Sequence, residues 1–198
     1  KIQPKAIKTK ISTDYKLFCN LIEKMYKKHN DDEHKHEHLS ENESHRLFQL
    51  LYQFDIVPGV DWNGNFHEEE FKNWVSQAIQ WSIENDREAV LKQTIGNGLA
   101  YAGWDEDALP NLEIIRVLDA KENEQIRVGF SIGIYNKRGV HWIDPEGKAE
   151  KALAEKYSKL ADKIEKLGYS RFSNTLRKIA DTYLEEAQQN IVEGSRII

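Results

Sequence analysis

The sequence predicts an all-α fold, a multi-helix bundle that ends in a long antiparallel helical hairpin. Three observations carry this. Apolar residues recur three and four positions apart along most of the chain, the period of a half-buried helix. Residues that start and stop helices stand at the ends of these stretches. The two longest stripes, Ala149 to Leu167 and Phe172 to Ile191, are separated only by a short connection at Gly168, and short connections make antiparallel neighbours.

Composition sets the frame for those helices. At 198 residues the chain is long enough to bury a core without disulfides or metals. Residues 1–57 read as an arm, a helix, a charged loop and a capped helix. Residues 58–198 read as a helical module whose hairpin spans 144–193, and the two parts are expected to pack as one compact domain. Charged residues make up 31% and apolar residues 39% of the chain. A net charge of -5 offers no general attraction to nucleic acid or to an anionic membrane. No apolar run reaches the ~20 residues of a membrane span. Cys19 is the single cysteine, which excludes an internal disulfide and suits a reducing cytoplasm. Its place on an apolar helix side makes it core filler rather than a nucleophile. The chain begins at a lysine with no signal-peptide core, and the expectation is a fragment of a longer protein.

Residues 1–10 carry Lys1, Lys5, Lys8 and Lys10 without an acid and read as a solvated arm. Ser12 then caps a first helix with Tyr15, Phe18, Leu21, Ile22, Met25 and Tyr26 on one side. His34, His36 and His38 alternate beside carboxylates. On a strand they would share one face and could hold Zn²⁺ or Ni²⁺. The segment has no apolar residue to anchor it and no rigid support for a metal, so a solvated loop is the favoured reading. Ser40 and Glu43 form a capping box for a helix with Leu47, Leu50, Leu51 and Phe54 inward.

Asp61-Trp62-Asn63-Gly64-Asn65-Phe66 begins like a calcium loop. The glycine position holds Phe66 and the bidentate glutamate position holds Lys72, so the reading is a Gly turn. Asn65 is the expected cap of a helix carrying Glu68 to Glu70 in its first turn and Phe71, Trp74, Val75, Ala78 and Ile79 in its stripe. Asp86 is the expected cap of the next, which uses Val90, Leu91, Thr94, Ile95, Leu99 and Ala102. Its Gly96 and Gly98 weaken the helix but permit close backbone approach. Gly103 stops it. Pro110-Asn111 opens a short helix with Leu112, Ile115 and Leu118 inward.

Residues 124–135 are ambiguous from local pattern. Ile126, Val128, Phe130, Ile132 and Ile134 alternate as in a strand, while Ile126, Phe130 and Ile134 also share a helical face. Asp144-Pro145-Glu146 is a helix-start signal, with Asp144 as cap and Pro145 in the first position. Gly168 supplies a left-handed stop, and Ser170 caps the last helix.

Between the ambiguous segment and the hairpin lies Asn136-Lys137-Arg138-Gly139-Val140-His141-Trp142. This span, with Glu150 and Leu153-Ala154-Glu155-Lys156-Tyr157, Gly168-Tyr169-Ser170-Arg171-Phe172, Leu176-Arg177-Lys178-Ile179-Ala180-Asp181-Thr182-Tyr183 and Glu186-Ala187, resembles an uncharacterised bacterial helical module. That module occurs in the C-terminal region of large multidomain proteins. The resemblance runs from Pro58-Gly59 to the end and includes Trp74-Val75 and Ile95-Gly96. It implies helical structure, including a helix over 124–135, and module status; it implies no chemistry.

No catalytic motif stands out and no cofactor is implied. The best polar cluster is Asn136, Arg138, His141 and Trp142. An Arg fork could bind a phosphate or carboxylate, with His141 as proton carrier and Trp142 as stacking surface. The structural alternative pairs Arg138 with a carboxylate such as Glu150, puts Asn136 or Gly139 in a left-handed turn and uses Trp142 as a plug. The expected function is a non-catalytic interaction or regulatory module of a larger bacterial cytoplasmic protein, meeting a protein partner or other domains of its own chain. The alternative is an enzyme or binding domain for a phosphorylated or nucleotide-like molecule at Arg138 and His141. Nucleic-acid contact through the Lys-rich N-terminus is disfavoured by the net charge.

Overall fold

In a computed structural model the protein is all-α, and its last two helices form an antiparallel hairpin. The structure describes residues 5–26, 40–52, 54–105, 108–139 and 144–194. Among them the helices are α1 (Lys5–Thr13), α2 (Tyr15–Met25), α3 (Glu41–Tyr52), α4 (Glu68–Glu84), α5 (Glu88–Leu99), α6 (Leu112–Asp119), α7 (Glu124–Arg138), α8 (Lys148–Lys166) and α9 (Ser170–Gly194). A 3-10 turn, Lys121–Asn123, joins α6 to α7. No described helix is long and apolar enough to cross a membrane.

The N-terminal helices share a core with the rest. Phe18 of α2 packs against Phe54 and Trp74, with ring centroids 5.2 and 4.9 Å apart. The expected solvated arm is in fact helical from Lys5. It docks because Ile11 is buried and the Trp74 indole N–H donates to the Ile11 carbonyl at 3.0 Å. Ser12 is not the cap of α2. Its hydroxyl lies within hydrogen-bonding reach of the Thr9 and Val60 carbonyls, and Asp14 caps α2 by accepting from the amides of Lys16 and Leu17. Cys19 is buried, and burial pushes its thiol up to about 12, which keeps it protonated.

The Ser40–Glu43 capping box forms as expected. Three other caps do not. Asn65 gives its amide to Asp61, so the start of α4 falls two residues later at His67. Asp86 adopts a positive φ of 55° in the turn, so α5 starts after Arg87. Asp144 accepts from the amides of Glu146 and Lys148 within a turn, and α8 begins only after Gly147. Asp144 thus satisfies its own turn as an acceptor, the competition that keeps such residues out of helix interiors, while Asn65 donates to Asp61 instead of capping. In α6 the inward residues are Ile114, Ile115 and Leu118; Leu112 faces solvent because the helix starts there. Ser170 is the first residue of α9, whose early amide at Phe172 is capped by the Asp119 carboxylate of α6 at 2.9 Å.

Residues 124–135 are helical. Ile126, Phe130 and Ile134 are buried, while Val128 and Ile132 face outward. The helical choice follows from Gly129, Gly133 and Gly96, which let α5 and α7 meet backbone to backbone. A methyl added at Gly129 would lie 1.9 Å from the Gln93 carbonyl oxygen. The second core layer stacks on this crossing: Trp104, Phe130 and Phe172 make three mutual ring contacts at 5.1–5.2 Å.

Candidate functional site

The polar centre of the molecule lies where α7 ends. Arg138 is its last residue, and Gly139 follows at φ 64°, so the chain turns away while the guanidinium points back to the hairpin. One terminal nitrogen bonds Glu150 of α8. The other donates to Glu186 of α9 at 2.9 Å. The guanidinium carbon also sits 5.5 Å from the ring centre of Tyr183, a cation–π distance. One side chain thus joins three helices.

Glu150 is fully buried, which costs several kcal/mol for a lone carboxylate. Burial pushes its pKa up, and the hydrogen bonds from Arg138, its own backbone amide and Asn190, with the Arg138 charge, more than offset this. The carboxyl is held below its ordinary value and stays ionised. Below the pair lie three tyrosines. Tyr183 stacks on Tyr157 at 5.8 Å and 11°, and meets Tyr135 at 5.3 Å. Burial pushes Tyr157 up to about 12 and raises Tyr183 and Tyr135 as well, so none is a base near neutral pH.

This arrangement can hold helices and has little to offer a ligand. Both terminal nitrogens of Arg138 face carboxylates, so its fork is occupied. Asn136 is exposed, and its carbonyl accepts the Gly139 amide. His141 and Trp142 lie outside the described residues, as do His34, His36 and His38. Beside the clamp, the Lys137 ammonium sits 5.4 Å from the Tyr101 ring centre; burial and the nearby Lys156 charge lower its pKa.

Elsewhere, the loop that begins like a calcium site is closed by its own groups. Asp61 accepts from the amides of Asn63 and Asn65, from the Asn65 side chain and from His67 at 3.0 Å. Those bonds lower the Asp61 pKa and raise that of His67. Among the described residues no group of three or more His, Cys, Asp or Glu is placed to hold a metal ion. The turn also presents Trp62, half exposed with Lys5 over its ring at 4.6 Å, beside an open groove of about 240 Å³. The Lys8–Asp55 ion pair lines that groove, so its cation already has a partner.

Sequence reasoning paired Arg138 with Glu150 but did not join Glu186, Asn190 or the tyrosines to that pair. A signal existed: Glu150 and Glu186 each lie 18 residues from Gly168, so reflection through the hairpin turn brings them to one level.

No protein-family model matches this chain. No curated protein and no solved structure matches it either.

Proposed function

We propose that this chain is a non-catalytic helical interaction module that positions or regulates another part of a larger protein, or docks a protein partner. The observation that carries the reading is an aromatic pair left on the surface. Phe48 and Tyr52 stack at 5.4 Å on the outer face of α3 and are 46% and 56% exposed. Paired exposed aromatics on a rigid element are the kind of anchor that interfaces use. Occupation of the Arg138 fork by Glu150 and Glu186 supports the same reading, because it turns the best polar cluster into scaffold. The test is the size of the native polypeptide, by immunoblot of source cells with an antibody to this domain. A band far above 23.1 kDa supports the module; a band near 23.1 kDa contradicts a larger parent protein.

A second reading keeps a small-anion site at the end of α7. Lys137 favours it: burial and the nearby Lys156 charge make its own charge costly, which an anion would relieve. A rise in melting temperature with millimolar inorganic phosphate, lost in Lys137→Ala, supports that reading; no rise removes it.

A further inference from the structure

We propose that the second half of α9 is a docking face for a basic amphipathic helix of a protein partner. This rests on the interaction-module reading and gives the partner its chemistry. α9 has 25 residues and α8 has 19, so α9 runs past the start of α8 by about 9 Å at 1.5 Å per residue. Gly147, just before α8, lies against Ala187, which fixes where the overshoot begins. The outer row of the second half of α9 is Leu184, just before the overshoot, then Gln188 and Val192 within it, four residues apart and therefore one above another. Leu184 is 50% exposed. A shallow groove of about 370 Å³ runs along Glu185, Gln188, Gln189, Val192 and Glu193.

Charge decides the occupant. Between Lys178 and Arg196 the chain holds Asp181, Glu185, Glu186 and Glu193 and no lysine or arginine. Glu186 is paired with Arg138, which it shares with Glu150. The other three carboxylates border the outer row, whose apolar members are Leu184 and Val192. Glu185 and Glu193 also lie in the C-terminal half of α9, and Glu193 stands in its last turn, the end whose dipole is already negative. A helix normally carries cations there, and the last turn of α9 has none. A partner that lays leucine-like side chains along Leu184 and Gln188, with lysine or arginine at its flanks, supplies the missing positive charge. This is a helix-against-groove mode of recognition.

The test uses the full chain and three synthetic amphipathic helices of one pattern: leucine with lysine, leucine with glutamine, and leucine with glutamate. Backbone amide NMR shifts are followed during titration. The expected result is saturable binding of the lysine peptide alone, with shifts concentrated in residues 181–193. Binding should weaken about tenfold in Glu185→Gln/Glu193→Gln, in line with the loss of two partly screened ion pairs. Leu184→Gln, a surface change that leaves the fold in place by circular dichroism, should weaken it too. Equal binding of the glutamate peptide, or shifts spread over every acidic surface, overturns the proposal. Shifts confined to Phe48 and Tyr52 also overturn it while leaving the module reading standing.

Discussion

A Cβ built on Gly96 of α5 would lie 1.9 Å from the carbonyl oxygen of Ile126 on α7. The opposing atom is backbone and cannot swing aside, so the helices must separate to admit even one methyl group. Gly96→Ala should therefore destabilise the protein by roughly 3 kcal/mol, at the upper end for overpacking. Gly103→Ala is the control. Its φ is 82° with open space around it, so only backbone strain of about 1–2 kcal/mol applies. Urea denaturation of both variants checks this; equal losses would mean that the crossing is looser than described.

Trp74→Phe should keep most of the ring packing on Phe18 but remove the indole bond to Ile11, 63 residues away. A buried carbonyl left without its donor costs about 1–3 kcal/mol. Because that bond tethers α1, the loss should be local as well as global. Hydrogen exchange should show α1 amides opening earlier than those of α8.

Asp119→Ala should cost about 0.5–2 kcal/mol, the range for a lost helix cap, although Asp119 belongs to a different helix from the amide it caps. Asp119→Asn retains an acceptor oxygen and should recover most of the loss. Thermal melts of the two variants distinguish capping from simple charge removal.

The Asp61–His67 pair makes a pH prediction whose sign can be worked out. The Asp61 hydrogen bond raises the His67 pKa, so that contribution is present below the unfolded histidine value of about 6.5 and fades as pH rises through the folded value. The Asp61 pKa is lowered, chiefly by His67, so its contribution is present above the unfolded aspartate value of about 3.9 and fades as pH falls. Wild type should exceed His67→Asn in melting temperature most between about pH 4 and 6.5. A gap that widens toward pH 9 would contradict the assignment.

Much of the fold was legible because amphipathic stripes are local. The hairpin followed from Leu160, Ile164, Leu176 and Ile179 on either side of Gly168, and these residues are buried where the stripe put them. Segment 124–135 was not legible, because Val128 and Ile132 are apolar yet face solvent and so counterfeit a strand alternation. Helix α1 was hidden for a different reason. Its inward residue Ile11 is held by Trp74, and Ser12 accepts the Gly59 amide, so the groups that order it are far away in sequence. Cap positions drifted because Asn65, Asp86 and Asp144 settle into turns instead. The site showed the same limit. A pairing of Arg138 with Glu150 could be guessed from charge, but full burial of Glu150, in a helix rich in Lys and Glu, could not.

The central claim is that Arg138 is a clamp within the fold rather than a ligand-binding group. A double-mutant cycle on Arg138→Ala and Glu150→Ala, read by urea denaturation, tests it most directly. Arg138→Ala should cost about 3 kcal/mol, since it strands the buried Glu150 carboxylate; Glu150→Ala should cost less, since Arg138 keeps Glu186, and the double change should cost clearly less than the sum. Strictly additive losses, or an Arg138→Ala variant that keeps its stability and loses binding of inorganic phosphate, would contradict the claim.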